Sequence, residues 1–378
     1  MLWMYWLSIA GLAYIYVGYP LLVWLFARLR RRPIPRPHWS ESVSVVIAGY
    51  NEGRRLAAKL DSLFASTAAD HIVEVLIGSD GSDDDTADVL ARYGDSRVRL
   101  VQFSERRGKP AVLNDVVPQC QGDVVILTDA RQMLDRDGIA RLASRLADPL
   151  IGVVSGELMF RTDAGDTAAA KGMGAYWAYE KWIRKSEGRF RSVPGATGAF
   201  YALRPRLFRP VPENTLLDDV VIPMQAVEQG FRCVLEEGAI AWDTPSQSTQ
   251  QEAVRKRRTI AGAAQLIVNQ PRWLLPWKNP IWWEFVSHKL LRLTSPVLLL
   301  TALASNIALA TSLSYQLLLG GQFLFYLAAA LAWGLSLRGK KLPLLGTVLM
   351  FVSMNLTTVL ALWDACRGRF RATWQRAT

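Results

Sequence analysis

The sequence opens with a long stretch that carries no charged residue. Residues 2–27, LWMYWLSIAGLAYIYVGYPLLVWLFA, form an uncharged run of 26 positions, and a helix needs about 20 apolar residues to cross the hydrocarbon core of a membrane. No basic segment precedes the run and no small-residue cleavage site follows it, so the pattern favours a membrane anchor over a removed signal peptide. Arg28 and the arginines at 30–32 follow directly, which predicts that this end lies in the cytoplasm.

A second apolar region lies near the other end of the chain. Residues 293–363 predict two to three transmembrane segments, with a first break near 314–316. Residues 271–292 mix Trp and Phe with Lys and Arg, which favours an interfacial amphipathic segment; the alternative is an amphipathic helix packed on a soluble core. A basic tail, 364–378, follows. Four full crossings would put this tail outside the cell. The positive-inside bias opposes that location, so the pattern leaves the topology of the tail open.

The chain is basic overall, with a formal net charge of +11. Such a charge suits an anionic membrane surface, a phosphorylated ligand or nucleic acid. Because the basic residues cluster beside the apolar segments while the polar residues at the predicted strand ends are acidic, we expect no nucleic-acid partner. Three widely spaced cysteines match neither a zinc site nor a disulfide framework.

Between the apolar regions, residues 28–270 predict a cytoplasmic α/β domain. The β-branched runs SVSVVIAG and VEVLIGSD are each followed by a helical pattern, and two more such strands come after them. Strand–helix alternation of this kind predicts a parallel, doubly wound sheet. In such sheets ligands bind at the carboxyl ends of the strands.

Acidic residues follow the predicted strands at the ends where ligands bind. Glu52 follows the first strand, Asp80 ends the second, and Asp129 follows VVILT. Asp80 suits contact with a base or a ribose, although the residues after it also suit a helix N-cap. A carboxylate in the position of Asp129 is typical of contact with a ribose or with a metal on a phosphorylated ligand.

Basic residues in two segments suit a diphosphate. Lys109 lies at a helix start in RRGKPAVLN, where charge and free N–H groups act together on a phosphate; the alternative is a solvated turn. Arg255 and Arg258 are three residues apart on one helix face. Such a pair suits a diphosphate clamp, and it equally suits a basic face resting on anionic lipid.

Two adjacent carboxylates, Asp218 and Asp219, lie within the apolar stretch LLDDVVIPM. Carboxylates are rarely buried unless a cation balances them or they have a role in binding or catalysis, so Asp218 and Asp219 are candidate catalytic residues. The alternative is that they form an ordinary helix N-terminus. Upstream, VPGATGAFYALR contains Gly195 and Gly198. These glycines permit close approach of the backbone to a ligand, or form a tight turn.

In this order, these stretches resemble the membrane-embedded family 2 glycosyltransferases of the GT-A fold, the group that includes cellulose, chitin, hyaluronan and poly-N-acetylglucosamine synthases. The resemblance covers residues 43–262 and the flanking apolar segments. It implies a GT-A (Rossmann-like) cytoplasmic domain flanked by transmembrane helices. It also implies an inverting transferase that uses a UDP-sugar.

The resemblance implies roles for the residues that hold the donor. Tyr50 and Glu52 of AGYNE match positions near the uracil, and Asp80 matches the aspartate that holds the base and ribose. Lys109 matches a lysine near the diphosphate. Asp129 matches the first Asp of the DxD motif, which makes it the expected metal ligand.

The resemblance also implies the catalytic and acceptor-binding residues. LDDVV stands where the family has TED, so Asp219 would be the catalytic base and Asp218 would replace the Glu. Gly195 and Gly198 match the loop beneath the donor and acceptor sugars. Trp177, in an aromatic and basic segment, is a candidate for the acceptor path; core packing is the alternative reading of this side chain.

Three departures from the family motifs concern the donor, the acceptor and the base. Arg131 replaces the second DxD carboxylate, so either Mg²⁺ or Mn²⁺ is held by fewer protein ligands or the guanidinium neutralises the diphosphate itself. Arg258 matches the Arg of QxxRW, but Arg255 replaces its Gln and Thr259 its Trp, which puts processive chain extension in doubt. The TED equivalent lacks its Thr.

Together these features predict an inverting β-glycosyltransferase at the inner membrane that moves a sugar from a UDP-sugar, with UDP-GlcNAc or UDP-Glc favoured. The expected acceptor is a polysaccharide or a lipid-linked saccharide, with export subunits as possible partners. The alternative is a non-catalytic nucleotide-sugar sensor or scaffold subunit of a polysaccharide export system.

Overall fold

One mixed sheet of eight strands organises the region between the terminal apolar helices. The computed structural model describes residues 1–30, 39–160, 168–244, 249–338 and 343–369. Numbered in chain order, the strands are β1 Val43–Gly49, β2 Ile72–Asp80, β3 Val98–Phe103, β4 Val124–Thr128, β5 Met133–Leu134, β6 Ile151–Phe160, β7 Phe200–Leu203 and β8 Arg232–Asp243. Their order in the sheet is β3-β2-β1-β4-β7-β6-β8-β5.

The helices fall into a set that packs around the sheet and an apolar set. In chain order they are α1 Leu2–Ala13, α2 Tyr19–Leu29, α3 Gly53–Phe64, α4 Thr86–Tyr93, α5 Lys109–Val116, α6 Gly138–Leu146, α7 Ala168–Phe190, α8 Asp218–Glu228, α9 Thr249–Asn269, α10 Trp282–Glu284, α11 Ser295–Leu309, α12 Leu313–Leu337 and α13 Pro343–Cys366. A π-helical turn, Tyr14–Gly18, joins α1 to α2. A second π-helical turn, Phe285–Leu290, and a 3₁₀ turn, Leu291–Thr294, connect α10 to α11.

The first half of the sheet is parallel, as the strand–helix alternation predicts. β1 pairs in parallel with β2 and β4, and β2 pairs in parallel with β3. Both faces of β1 are buried: Val46 packs into one hydrophobic cluster, while Val45 and Ile47 pack into the other. This explains why the strand reads as a nearly continuous apolar run. The carboxyl ends of these strands bring Asp80 and Asp129 to one edge.

The second half of the sheet is mixed rather than wholly parallel. β7 runs antiparallel to both β4 and β6, and its first residue, Phe200, pairs with Thr128 at the end of β4. A strand that enters from this edge carries its preceding loop with it. The loop containing Gly195 and Gly198 therefore lies beside Asp129, at the edge where the parallel strands end.

In the described part of the chain, four helices are long and apolar enough to cross a membrane: Leu2–Leu29, Trp282–Leu309, Leu313–Leu337 and Leu345–Cys366. Apolar side chains point outward from them, as in Trp3, which is 77% exposed. The segment 271–292, predicted to be interfacial, contains the 3₁₀ turn Pro271–Leu274 and continues into the second of these helices. Its depth in a membrane, the domain boundaries and the topology of the tail stay predictions; tail residues 370–378 lie outside the described residues.

Ion pairs join the apolar helices to the region that contains the sheet. Arg191, just after α7, binds both carboxylate oxygens of the fully buried Glu284 side chain at 2.7 Å each. Arg257 of α9 binds Asp364 of α13. The bidentate contact of Arg191 fixes orientation as well as proximity. It therefore holds the end of α7 in a defined position relative to the apolar helix that begins at Trp282.

The helix that carries Lys109 packs directly on a glycine of β2, which yields a test of the fold. A methyl group at Gly78 would lie 2.3 Å from Val112 Cγ1 and 3.1 Å from Val116 Cγ2. We expect Gly78→Ala to displace α5 and to lower the free energy of unfolding by about 1–3 kcal/mol, the usual cost of overpacking. Thermal unfolding of the protein in nanodiscs measures this, and Gly320→Ala is the control because a methyl group there meets no described atom within 4 Å. Equal midpoints for the two variants would contradict the packing.

Candidate active site

Lys109 lies at the centre of a charged cluster at the edge where the parallel strands end. It is the first residue of α5, preceded by Gly108 in a positive-φ conformation (φ 99°). Its Nζ atom lies 2.7 Å from Asp129 Oδ1, 3.2 Å from the carbonyl oxygen of Gly198 and 3.9 Å from Asp218 Oδ2. Burial opposes the charge of Lys109, but the surrounding carboxylates outweigh burial and raise its pKa above the usual range.

The paired carboxylates form the first turn of α8. Asp218 is 8% exposed, and its Oδ2 atom has no hydrogen-bond partner in the described part of the chain. Burial, and then the charge of Asp218, raise the pKa of Asp219 to about 6, against the opposing charges of Lys289, Lys109 and Arg184. Asp219 can therefore act as a proton acceptor close to neutral pH.

The two glycines predicted to bind sugars lie against Asp219. Gly195 has a φ of +127°, and a methyl group there would lie 3.0 Å from Val220 Cγ2. At Gly198 a methyl group would lie 2.9 Å from Asp219 Oδ2. The backbone between them is tied to α8, because the Ala196 N–H donates to the Asp219 carbonyl at 2.7 Å. Only a loop without side chains at these two positions can approach the carboxylate so closely.

Asp80 is placed beneath the turn that precedes Lys109. Its carboxylate is fully buried, and it accepts the backbone N–H groups of Arg107 and Gly108 at 2.8 Å each. In this arrangement Asp80 holds the turn before α5 in position. Its predicted contact with a base or ribose stays a prediction.

The AGYNE segment forms a polar surface next to that turn. The Arg106 guanidinium lies over the ring of Tyr50, 4.0 Å from its centroid, while Glu52 pairs with Arg55 at 2.7 Å. Two nitrogens of Arg106, Nε and one terminal nitrogen, are buried without a hydrogen-bond partner among the described residues. The motifs did not single out Arg106, although a cation over an aromatic face offers a flat surface for a planar ligand.

Arg131 reaches the end of β8. It binds Asp243 Oδ2 at 2.5 Å, and Gln132 Nε2 donates to the same oxygen at 2.9 Å. An isolated buried carboxylate is costly, and this pairing balances the charge of Asp243. The predicted contact of Arg131 with the diphosphate stays a prediction.

A second cation, Lys59, lies beneath the DAR segment and was missed by the sequence analysis. It is fully buried, and its Nζ atom donates to Thr128 Oγ1 at 3.0 Å and to the carbonyl oxygen of Gln132 at 2.6 Å. Burial lowers its pKa to about 7, although the charge of Asp129 opposes this. The available signal was its place on the apolar face of α3, between the buried residues Leu56 and Leu63.

The remaining predicted residues lie on the helices around the cluster. Arg255 is exposed, and Arg258 lies one turn before Gly262, where α9 packs against Leu217 at the entrance to α8. Trp177 is 42% exposed, with its ring centroid 6.1 Å from that of Phe160. The fold thus brings Lys109, Asp129, Asp218, Asp219, Gly195 and Gly198 together and places the other predicted residues around them.

A family model described as "Glycosyltransferase like family 2" matches residues 40–262, more than half of the chain. The chain belongs to this family. The charged cluster lies within the matched region.

Similar proteins extend this finding. The chain is 26% identical over 260 residues to the uncharacterized glycosyltransferase YaiP of Escherichia coli K12, covering 66% of this chain and 63% of that protein. It is 23% identical over 219 residues to the poly-beta-1,6-N-acetyl-D-glucosamine synthase of Staphylococcus aureus strain COL, covering 57% and 52%. The chain thus spans between half and two thirds of the length of these curated relatives.

A solved structure shares the fold over nearly the whole chain. The mannosyltransferase PcManGT from Pyrobaculum calidifontis, solved in complex with GDP-Man and Mn²⁺, superposes with a TM-score of 0.71 at 23% identity. The match covers 97% of this chain and 100% of that chain. The predicted GT-A fold is confirmed.

The charge of Lys109 gives a testable effect on Asp219. Because Lys109 is one of the cations that hold the pKa of Asp219 down, Lys109→Met should move the acidic limb of the pH–rate profile to higher pH and lower the rate at neutral pH. Initial rates of nucleotide release between pH 5 and pH 8 (about the range in which such a group titrates) measure the shift. Lys278→Met, an exposed lysine outside the cluster, is the control. A limb that stays in place in Lys109→Met would contradict the coupling.

Proposed function

We propose that this glycosyltransferase moves a sugar from a UDP-sugar, with UDP-GlcNAc or UDP-Glc favoured, to a polysaccharide or lipid-linked acceptor, with inversion to a β-linkage. One observation carries the proposal: Asp219, whose pKa is raised to about 6, lies beside the Lys109–Asp129 pair at the ligand-binding edge of the sheet. A proton acceptor and a cation for a diphosphate are the two groups that an inverting transfer requires. The S. aureus relative, named as a poly-beta-1,6-N-acetyl-D-glucosamine synthase, supports the choice of UDP-GlcNAc.

In this mechanism Asp219 removes the proton from the acceptor hydroxyl as its oxygen attacks the anomeric carbon. The attack comes from the face opposite the leaving nucleotide diphosphate, so the configuration inverts. Asp218 keeps the pKa of Asp219 high by its negative charge. The Gly195–Gly198 loop provides the floor for the two sugars, and Trp177 borders the acceptor path.

Charge that develops on the leaving diphosphate meets Lys109 and the first N–H groups of α5. A helix N-terminus and a lysine act in the same direction on a phosphate. Asp129 orients the Lys109 ammonium group and contacts the ribose of the donor. Tyr50, Glu52, Asp80, Arg255 and Arg258 complete the donor site in this proposal.

The residues around Asp129 fit a protein-held metal centre poorly. The described part of the chain contains no group of three His, Cys, Asp or Glu residues placed to hold an ion. Asp129 is paired with Lys109, and Arg131 stands in place of the second DxD carboxylate. We therefore propose that Lys109 neutralises the negative charge of the diphosphate, and we derive no step through Mg²⁺ or Mn²⁺.

The apolar helices support a reaction at a membrane. We propose the inner membrane with the GT-A domain on its cytoplasmic side, since the arginines after the first apolar run carry the positive-inside signal. An acceptor anchored in the membrane or extruded through export subunits suits this arrangement.

The first experiment measures nucleotide release by the nanodisc-held protein with UDP-GlcNAc, UDP-Glc and other UDP-sugars. GDP-mannose joins the panel because PcManGT was solved with GDP-Man. We expect release with one donor, and a fall of about 10²–10⁴-fold in Asp219→Asn, the usual contribution of a positioned base. Asp123→Asn, a carboxylate on the far side of the sheet that pairs with Ser42, is the matched control.

Two results would overturn parts of this proposal. Full activity in Asp219→Asn would remove Asp219 as the base. Tight nucleotide binding without turnover for any donor, tested with oligosaccharide and lipid-linked acceptors, would favour the sensor or scaffold alternative.

Removal of metal ions with a chelator tests whether Lys109, rather than a metal, neutralises the diphosphate. We expect nucleotide release to persist in EDTA at close to the untreated rate, whereas Lys109→Met lowers it by about tenfold or more because a charge-assisted hydrogen bond is lost. Restoration by Mn²⁺ after a complete loss in EDTA would show that the protein needs a metal after all.

A further inference from the structure

The buried amine of Lys59 lies close to the proposed donor site and has no role in the proposed reaction. Lys59 belongs to α3, and its side chain is fully buried. Its neighbours Leu56 and Leu63 belong to the same hydrophobic cluster as Ala130 of the DAR segment. An apolar side chain would fill this place without the cost of burying an amine. Packing alone therefore does not explain a lysine at this position.

The two hydrogen bonds of Lys59 hold the ends of one short segment. Its Nζ atom donates to Thr128 Oγ1 at 3.0 Å, at the end of β4, and to the carbonyl oxygen of Gln132 at 2.6 Å. Asp129 lies between these two acceptors in the sequence. Burial lowers the pKa of Lys59 to about 7, but the amine keeps at least two N–H donors whether or not it is charged. Lys59 thus bridges the segment that carries Asp129.

The contact with Thr128 also sets the direction of the next hydrogen bond. An ammonium group offers donors and no acceptor, so Thr128 accepts from Lys59 and keeps its own hydroxyl proton for donation. That hydroxyl donates to the carbonyl oxygen of Ala199 at 2.9 Å, and the Asp129 N–H donates to the same oxygen at 3.4 Å. Ala199 follows Gly198, so the effect of Lys59 reaches the loop that borders the charged cluster.

Lys109 holds the same two segments at neighbouring atoms. Its Nζ atom contacts the Asp129 carboxylate at 2.7 Å and the Gly198 carbonyl at 3.2 Å. Lys59, directly and through Thr128, acts on the residues next to these, one before Asp129 and one after Gly198. The side chain of Lys109 is 14% exposed and can reach a ligand, whereas Lys59 is fully buried. Lys59 can therefore affect a ligand only through the groups that it holds.

We propose that Lys59 is a positioning residue for the donor site: it fixes the segment 128–132 so that the Asp129 carboxylate meets both Lys109 and the donor ribose. Lys59 acts through the backbone of this segment and through the Thr128 hydroxyl. A displacement of about 1 Å at a group that contacts the substrate can cost about 10²-fold in rate. This inference rests on the proposed function, in which Asp129 contacts the ribose, and adds the residue that sets this contact.

The affinity for UDP tests this role with a change that removes a single hydroxyl group. Thr128→Val keeps the shape of the side chain but removes the acceptor of Lys59 and the donor to Ala199. We expect the Kd for UDP, measured by isothermal titration calorimetry on the nanodisc-held protein, to rise about tenfold because Asp129 is no longer held in place. Thr128→Ser keeps the hydroxyl group, so it should bind UDP with nearly the affinity of the unmodified protein.

A second variant removes the amine itself. Lys59→Met keeps an unbranched side chain in the apolar pocket, and we expect the same rise in Kd. Thr358→Val is the matched control for Thr128→Val, because Thr358 is also buried and its hydroxyl donates to the Met354 carbonyl at 2.9 Å within α13. This control should leave the Kd in place. If Lys59→Met does not fold, the comparison of Thr128→Val with Thr128→Ser decides the question.

The same titrations separate positioning from a purely structural role. Loss of folded protein lowers the number of binding sites per chain and leaves the Kd of the remaining sites in place. Displacement of Asp129 instead raises the Kd. An unchanged Kd in both Lys59→Met and Thr128→Val, with or without a loss of sites, would overturn the proposal.

A double-mutant cycle tests whether Lys59 acts through Asp129. If it does, Thr128→Val should raise the Kd by less than about twofold in a protein that already carries Asp129→Asn, because changes that share one partner are not additive. A full further tenfold rise in this background, about the effect expected in the unmodified protein, would show that the two act independently. That result would contradict the proposal.

Nucleotide release by the same samples separates this inference from the proposed function. Turnover of a donor, with the affinity for UDP unchanged in the variants, would remove the role of Lys59 and leave the transferase. The expected changes in affinity, in a protein that turns over no donor, would contradict the proposed function alone.

Discussion

The ion pair between Lys109 and Asp129 is the contact on which the site depends. Asp129 follows the last strand of the parallel half, Lys109 begins a helix packed on that half, and the same ammonium group reaches Gly198 and Asp218 on the other side. The buried ammonium group of Lys109 therefore joins three segments that are far apart in the chain. They contain Asp129, Gly198 and Asp218. A buried charge persists only where partners balance it, and here the partners are the residues proposed for catalysis.

The antiparallel β7 strand is what allows this convergence. A parallel strand at that position would carry its preceding loop to the opposite edge of the sheet. Because β7 runs the other way, the Gly195–Gly198 loop lies between Asp129 and Asp219. The α7 helix then connects the loop to the apolar helices through Arg184 and His288. A short series of polar contacts thus joins the charged cluster to the apolar helices.

Much of this arrangement could be predicted from residue order. The β-branched runs located β1, β2 and β4, and the motifs identified Lys109, Asp129 and the carboxylate pair that the fold brings together. The alternation of strands and helices did not reveal that β7 is antiparallel, because a four-residue strand carries no signal of direction. Lys59, Arg184 and Arg106 were missed because their roles follow from burial and from partners distant in the chain. The pairing of Arg131 with Asp243 could not be predicted from the sequence for the same reason.

A structure of the protein with an intact nucleotide sugar would test the central claim most directly. We predict that the Lys109 ammonium group contacts a phosphate oxygen of the donor, and that the Asp219 carboxylate faces the anomeric carbon on the side opposite the diphosphate. A donor whose diphosphate lies away from Lys109, or whose anomeric carbon is screened from Asp219, would contradict the account.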